Sequence, residues 1–150
     1  MAKPLYVLNG PNLNLLGTRE PKVYGHETLD DLRQRCERKA ESLGLSVIFR
    51  QSNLEGELVT WIQEARTDAS GLIVNAGAFT HTSIAMLDAL LACPVPTVEV
   101  HLSNIFTREP FRHRSYISKA AKGVICGFGG LGYELAIEAL AATIAPGKAG

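Results

Sequence analysis

Short apolar runs alternate along the chain with stretches in which apolar residues recur every three or four positions. The runs predict strands and the periodic stretches predict amphipathic helices. The predicted strands cover residues 5–8, 45–49, 72–75, 97–101 and 123–126. The predicted helices cover residues 29–43, 54–65, 82–91 and 131–144. The first helix also has a start signal, because Thr28 precedes Asp31 by three positions, close to the pattern of a capping box.

Strands that alternate with helices predict an α/β protein in which the strands run parallel and helices cover both faces of the sheet. With right-handed crossovers, the expected fold is a flavodoxin-like three-layer sandwich with a five-stranded parallel sheet. The length of 150 residues corresponds to about one domain. We therefore predict a single catalytic domain over residues 1–150, with a disordered tail at 146–150.

The composition narrows the class of function. Basic and acidic residues number 15 each, so the formal net charge is zero and offers no general attraction to nucleic acid or to an anionic membrane. We expect no membrane span and no secretory signal, since the apolar runs are short. The three cysteines, Cys36, Cys93 and Cys126, are widely spaced and form no zinc motif. This usage favours a cytoplasmic protein with reduced thiols and no metal.

Polar residues follow three of the predicted strands, at the edge where parallel α/β sheets bind their ligands. Each of them alone is compatible with simple turn formation, for which asparagine and serine are well suited. Their combination at three strand ends predicts a binding site. They are Asn9 and Asn12 after the first strand, Asn75 and His81 after the third, and His101, Ser103 and Asn104 after the fourth.

The long connection after the first strand carries a candidate base. An unperturbed phenol titrates near pH ~10 and is a poor base at neutral pH. A guanidinium such as that of Arg19 would favour the phenolate of Tyr24 and lower this pKa, which would make proton abstraction feasible. Long connections are also common as lids. The simpler interpretation, a surface tyrosine beside a surface arginine, stays open.

A candidate acid ends the fourth strand. His101 and Glu99 are two residues apart, so their side chains point to the same face of the sheet. A carboxylate bonded to one ring nitrogen would set the tautomer and sustain an imidazolium. The alternative is a structural histidine beside a partly buried glutamate. The cost of burying Glu99 between two valines without a partner favours a site.

Two further features have both a functional and a structural interpretation. A basic segment before the fifth strand offers guanidinium groups for a carboxylate, or forms a solvated loop; it contains Arg108, Arg112, His113 and Arg114. The third helix is apolar almost all round except for Asp88, which suggests a subunit interface. Pairing of Asp88 within its own chain is equally compatible with the spacing.

Glycines and lysines limit the cofactor chemistry. Gly127, Gly129 and Gly132 have dinucleotide-motif spacing but follow the last strand, so they predict only a tight turn with close packing. The lysines lie in polar, terminal or loop-like stretches, which disfavours an imine mechanism.

Several sequence blocks together resemble the type II 3-dehydroquinate dehydratases, the dehydroquinases that act without a Schiff base. The blocks run in the family's order over nearly the whole chain. They are NGPNLNLLG at 9–17, REP at 19–21, YG at 24–25, NAGAFTHTS at 75–83, EVHLSN at 99–104, and Arg108 and Glu109 with Phe111 and Arg112. The one mild departure is Leu102, where isoleucine is common.

The resemblance implies flavodoxin-like subunits that assemble as trimers into a homododecamer. It implies anti elimination of water from 3-dehydroquinate through an enolate, in aromatic amino acid biosynthesis, without a cofactor. By the same resemblance Tyr24 is the base, Arg19 holds its phenolate, Asn12 positions the water or enolate oxygen, and His101, supported by Glu99, is the acid. The implied substrate-binding residues are Asn75, His81, Leu102, Ser103, Arg112 and, from a neighbouring subunit, Asp88; Arg108 adds positive potential near Tyr24.

Two other classes of protein use the same fold. A flavodoxin-like domain that binds FMN or a nucleotide would use the same strand ends and glycine turns. Pro11 disfavours it, because proline removes one amide from the loop that would cradle a phosphate. A non-catalytic homologue would keep the fold but lose the acid or the base, and Tyr24, Arg19 and His101 are all present.

Overall fold

Five parallel strands form one sheet in the computed structural model, which describes residues 2–18, 20, 22 and 26–144. The strands are β1 (Leu5–Asn9), β2 (Val47–Gln51), β3 (Gly71–Asn75), β4 (Thr97–His101) and β5 (Gly123–Cys126). They lie in the order β2-β1-β3-β4-β5. Because this is the strand order of flavodoxin-like folds, the predicted fold class is confirmed.

Helices cover both faces of the sheet. The α-helices that the structure describes in full are α1 (Leu29–Ser42), α2 (Glu55–Asp68), α3 (Ile84–Leu91) and α4 (Leu131–Ile144). Successive side chains of β1 point to opposite faces of the sheet and so belong to two core layers. Leu5 and Val7 pack with α1 and α4, whereas Tyr6 and Leu8 pack with α2 and α3. The fully buried runs of β1, β3 and β4 therefore follow from their central position between two helical layers.

The start of α1 follows the predicted capping box. The Asp31 amide donates to Thr28 Oγ1 over 3.1 Å, and the Thr28 amide donates to an Asp31 carboxylate oxygen over 3.0 Å. The helix then buries Leu32, Cys36 and Ala40 against the sheet. Its amphipathic pattern is thus used as predicted.

Two elements begin two residues later than predicted, in each case because of local hydrogen bonds, and β2 and α2 extend to Gln51 and Asp68, beyond their predicted ends at residues 49 and 65. The third helix begins at Ile84 rather than at residue 82, because residues 77–81 form a 3₁₀ turn and Ser83 caps α3 by accepting from the Met86 amide over 2.9 Å. The second strand begins at Val47 rather than at residue 45, because the Leu45 amide still bonds the carbonyl of Ala40 in α1.

Three further short 3₁₀ turns lie between β4 and β5, in the basic segment of the sequence. They are Ile105–Thr107, Pro110–Arg112 and Ile117–Lys119. The predicted tail at 146–150 lies outside the described residues. Among the helices of the described residues, none is long and apolar enough to cross a membrane.

Candidate active site

Five of the seven polar residues predicted at the strand ends line one pocket at the carboxyl edge of the sheet, whereas Asn9 and Asn104 are not among the residues that line it. The pocket lies where strand order reverses, beside β1 and β3, as expected for this fold. Eight of the predicted site residues are among those that line it: Asn12, Asn75, His81, His101, Leu102, Ser103, Arg108 and Arg112. The structure thus brings together residues that are up to 100 positions apart in the chain, from Asn12 to Arg112.

A buried carboxylate stands behind His101. Glu99 is fully buried and accepts the Nε2–H of His101, the neighbour that the spacing predicted. It also accepts the hydroxyls of Ser115, over 2.8 Å, and Ser118. Burial opposes ionisation of Glu99, but the bonds from His101 and the two serines outweigh it and hold the pKa of this carboxyl below its ordinary value. The carboxylate is therefore ionised and oriented.

The two serines were missed by the sequence analysis. Both lie in the polar segment before β5 and are 16 and 19 positions from Glu99. The signal that could have indicated them is the buried carboxylate itself, because a buried charge requires several hydrogen-bond donors.

The main chain beside His101 is held by the glycine turn that follows β5. The amide of Gly127 donates to the carbonyl of His101 over 3.2 Å, and that of Gly129 donates to Leu102 over 3.0 Å. Both glycines have positive φ, +97° and +57°, a region that favours glycine. The predicted tight turn therefore fixes the end of β4 and with it one wall of the pocket.

A second buried network joins Asn75 to the core. The Asn75 side-chain amide donates to the hydroxyl of Tyr133 over 2.8 Å, and this hydroxyl donates to Asn9 Oδ1 over 2.7 Å. Asn9 is fully buried and serves this network rather than lining the pocket. Tyr133 was missed by the sequence analysis because it lies in the apolar pattern of α4.

His81 is held as a neutral ring. Its Nδ1 bonds the carbonyl of Arg114 over 2.7 Å, so Nδ1 carries the proton and Nε2 is left as an acceptor. Burial lowers the pKa of His81 below its ordinary value, although the Arg114 carbonyl partly opposes this. At neutral pH this residue contributes hydrogen bonding rather than positive charge.

Two arginines supply the positive charge of the pocket. The side chains of Arg108 and Arg112 are only 13% and 19% exposed. Glu109 Oε1 lies 3.1 Å from Nε of Arg112 and 3.7 Å from Nε of Arg108, so it orients both. Two largely buried guanidinium groups in one pocket fit an anionic substrate such as a carboxylate.

Three other predicted residues that the structure describes, Asp88, His113 and Arg114, are not among those that line this pocket. The side chains of His113 and Arg114 are exposed. His113 Nε2 bonds the carbonyl of Arg108 over 3.0 Å, and the carbonyl of Arg114 bonds His81 Nδ1. Asp88 is exposed on α3. Arg19 and Tyr24 lie outside the described residues.

The loop after β1 does not form a phosphate cradle. The Gly10 amide bonds the carbonyl of Asn75 over 2.8 Å, Pro11 has no amide hydrogen, and the Asn12 amide bonds Asn53 Oδ1 over 3.0 Å. Three successive positions thus offer no free donor to a phosphate, which argues against the nucleotide-binding alternative. Within the described ranges, no group of three or more His, Cys, Asp or Glu residues could hold a metal ion.

Known proteins are similar to this chain in both sequence and fold. The family model for class II dehydroquinases matches residues 3–141. The chain belongs to the class II dehydroquinases. A 3-dehydroquinate dehydratase of Phenylobacterium zucineum is 61% identical over 141 residues, which cover 94% of this chain and 97% of the relative. The 3-dehydroquinate dehydratase 2 of Pseudomonas aeruginosa is 56% identical over 92% of this chain and 93% of its own.

Solved class II dehydroquinases agree in fold. The type II dehydroquinase of Propionibacterium acnes superposes with a TM-score of 0.90 at 46% identity, covering 94% of this chain and 97% of that one. The enzyme of Butyrivibrio crossotus also gives 0.90, at 40% identity over 93% of this chain and 97% of its own. The resemblance inferred from the sequence blocks is confirmed, and with it the prediction that the chain is a hydro-lyase of this family.

Proposed function

We propose that this dehydroquinase removes water from 3-dehydroquinate to give 3-dehydroshikimate, by anti elimination through an enolate. The observation that carries the proposal is His101, bonded to the buried Glu99, in a pocket with two arginines, in a chain 61% identical to a 3-dehydroquinate dehydratase. Elimination from a β-hydroxy ketone requires a base at the acidic carbon, stabilisation of an enolate and an acid for the leaving hydroxyl. We place it in the shikimate pathway of aromatic amino acid biosynthesis.

The acid is His101. Because its Nε2–H is bonded to Glu99, the other ring nitrogen, Nδ1, is the one that delivers a proton. The ionised Glu99 stabilises the imidazolium before the transfer and keeps the ring oriented. When the enolate collapses, the C–O bond breaks, and the departing hydroxyl takes the proton from His101 and leaves as water.

The base is Tyr24, with its phenolate held by Arg19. The base removes the proton next to the ketone, and the electron pair of that C–H bond forms the enolate. Asn12 positions the water or the enolate oxygen, and Arg108 adds positive potential near Tyr24. The arginine charge in the pocket supports this assignment because a guanidinium near a phenol favours the phenolate.

Binding of the substrate hydroxyls and carboxylate falls to the other pocket residues. Arg112 offers a planar fork to the carboxylate. Asn75 and Ser103 offer polar groups, the neutral His81 offers Nε2 as an acceptor, and Leu102 shapes the wall. No cofactor takes part in these steps.

An imine is not part of this mechanism. The residues that line the described pocket include no lysine. Lys39, which is half-buried, pairs with Glu138 over 3.4 Å on the surface formed by α1 and α4. Treatment with borohydride and substrate therefore leaves the mass of the protein unchanged, and a covalent adduct in the mass spectrum would refute this point.

The active enzyme is a cytoplasmic homododecamer, a tetramer of trimers, in which Asp88 reaches the site of a neighbouring subunit. The exposed surface of α3 supports this proposal. Ile84 and Leu91 are 56% and 63% exposed and flank the exposed Asp88. Apolar side chains around one acid are typical of a subunit contact. Light scattering measures the mass, and a monomer would remove Asp88 from the site.

Turnover of 3-dehydroquinate tests the function. The conjugated enone product is followed by its ultraviolet absorbance, with Tyr24→Phe beside the wild type and circular dichroism as the check of folding. We expect the wild type to turn over and the folded variant to lose most of its activity. Equal turnover would mean that another group is the base, and no turnover by an assembled wild type would refute the proposed reaction.

A further inference from the structure

The buried hydroxyl of Tyr133 lies at the centre of a four-bond chain whose two ends are main-chain groups. At one end, Asn9 Nδ2 donates to the carbonyl of Arg50 over 3.0 Å; at the other, the amide of Gly77 donates to Asn75 Oδ1 over 3.3 Å. A carbonyl can only accept and an amide N–H can only donate. These ends therefore set the direction in which all four bonds run, but the 3.3 Å bond from Gly77 is long, so the orientation of Asn75 also depends on its 2.8 Å bond to Tyr133.

Only a hydroxyl completes the chain between them. Asn9 turns its oxygen toward Tyr133 and so needs a donor, whereas Asn75 turns its nitrogen toward Tyr133 and so needs an acceptor. A hydroxyl does both at once. Tyr133 is fully buried, and burial raises the pKa of its phenol above the ordinary value, so the group stays neutral and keeps its hydrogen.

We propose that Tyr133 is a positioning residue for substrate binding: through its hydroxyl it locks the side-chain amide of Asn75 in one of its two orientations. Asn75 is one of the residues that line the pocket, and one Nδ2 hydrogen remains beyond the bond to Tyr133. A locked amide meets a substrate oxygen without first losing the freedom to flip, which lowers the cost of binding. The inference rests on the proposed function, since it assigns Asn75 to the substrate.

The test compares two buried tyrosines. Tyr133→Phe removes the central hydroxyl. Tyr6→Phe is the matched control: Tyr6 is also buried, and its hydroxyl donates over 2.6 Å to Glu64, which is not among the residues that line the pocket. Because Asn75 contacts the bound substrate throughout the reaction, we expect KM to rise about three- to tenfold in Tyr133→Phe while kcat changes less than about twofold. The control keeps both constants.

A second variant acts one step further away. Asn9→Ala leaves Tyr133 in place but removes the acceptor of its hydroxyl, and Asn9 is not among the residues that line the pocket. We expect KM to rise in Asn9→Ala as well, but by less than in Tyr133→Phe. This variant tests the proposal even if Tyr133→Phe does not fold. A folded Tyr133→Phe with wild-type KM would overturn the proposal, and so would an equal rise of KM in Tyr6→Phe.

The orientation of Asn75 gives a readout that does not depend on turnover. A neutron crystal structure of Tyr133→Phe, which distinguishes the amide nitrogen from the oxygen, is expected to show the Asn75 amide turned or in two orientations. An unchanged Asn75 would refute the positioning role even if the wild type failed to turn over 3-dehydroquinate. Failure of the wild-type reaction alone, with Asn75 displaced in the variant, would instead refute only the proposed function.

Discussion

The adjacent strands β3 and β4 each end in a buried polar network, and the two networks differ in charge. At the end of β4, Glu99 carries a full negative charge and accepts bonds from His101, Ser115 and Ser118. At the end of β3, the network of Asn75, Tyr133 and Asn9 is neutral and is completed by two main-chain groups.

The difference follows from what each network has to do. A group that transfers a proton passes through a charged state, and a buried ionised partner such as Glu99 stabilises that state at the cost of desolvation. The three donors around Glu99 offset this cost. A group that only orients a substrate needs no charge, so amides and a hydroxyl suffice for Asn75. Charge is thus buried where the proposed mechanism moves a proton.

Removal of the charge at Glu99 is expected to have the largest effect. In Glu99→Gln the imidazolium of His101 loses its counter-charge, so we expect kcat to fall by at least about a hundredfold. The enone absorbance assay measures it. Glu37→Gln is the matched control, because Glu37 is exposed on α1 and pairs only with Arg33 there among the contacts described. A folded Glu99→Gln with wild-type kcat would show that the carboxylate is merely structural.

Loss of one serine donor is expected to change stability rather than abolish activity. The folded-state pKa of Glu99 is lowered, so this group stabilises the fold above its ordinary pKa, and the contribution is lost as the pH falls. Ser118→Ala removes one donor to the anion. We expect a loss of about 1–2 kcal/mol at pH 7 that shrinks at acid pH, as the pH falls through the lowered pKa of Glu99 and the carboxyl becomes protonated in both proteins.

Urea unfolding of Ser118→Ala and the wild type, at pH 7 and at acid pH, measures the effect. Ser42→Ala is its control, since the Ser42 hydroxyl bonds only the carbonyl of Lys39 on the exposed end of α1 among the bonds described. A stability loss in Ser118→Ala that is equal at both pH values would mean that Ser118 does not act on the ionised form of Glu99.

The sequence predicted the charged network better than the neutral one, for a physical reason. Glu99 and His101 share a face of one strand, and their meeting follows from the period of two. The other partners in each network come from distant parts of the chain and are set by tertiary packing. Ser115 and Ser118 are 16 and 19 positions from Glu99. Tyr133 is 58 positions from Asn75 and 124 from Asn9. In α4 its spacing is that of any core residue, and no local pattern distinguishes its hydroxyl from ordinary packing.

The fold was predictable for the same reason. Apolar runs and a capping box are local signals, and they predicted the five strands and α1. The start of α3 was not predicted correctly, because Thr82 and Ser83 are both good helix caps. Which of them caps α3 depends on the 3₁₀ turn at Gly77–His81. Apolar patterns thus predict the elements, hydrogen bonds within the adjoining turns decide where α3 and β2 begin, and long-range packing decides the polar partners.

The smallest expected effect is the pH dependence of the neutral network. Tyr133→Phe leaves Asn75 Nδ2 without its partner and is expected to lower stability by about 1–3 kcal/mol. From about pH 8 down through the acid range no member of this network titrates, because asparagine does not ionise and burial raises the pKa of Tyr133. The nearby thiol of Cys36, whose pKa burial raises to about 12, is also neutral.

The loss in Tyr133→Phe is therefore expected to stay constant within about 0.5 kcal/mol from about pH 8 down to the acid pH at which the loss in Ser118→Ala shrinks. Urea unfolding of both variants beside the wild type, at matched pH values, measures the contrast directly. A loss in Tyr133→Phe that changed with pH as it does in Ser118→Ala would mean that the two networks are coupled through the shared sheet edge. Charge at Glu99 would then influence the orientation of Asn75, and acid and binding residue would form one unit.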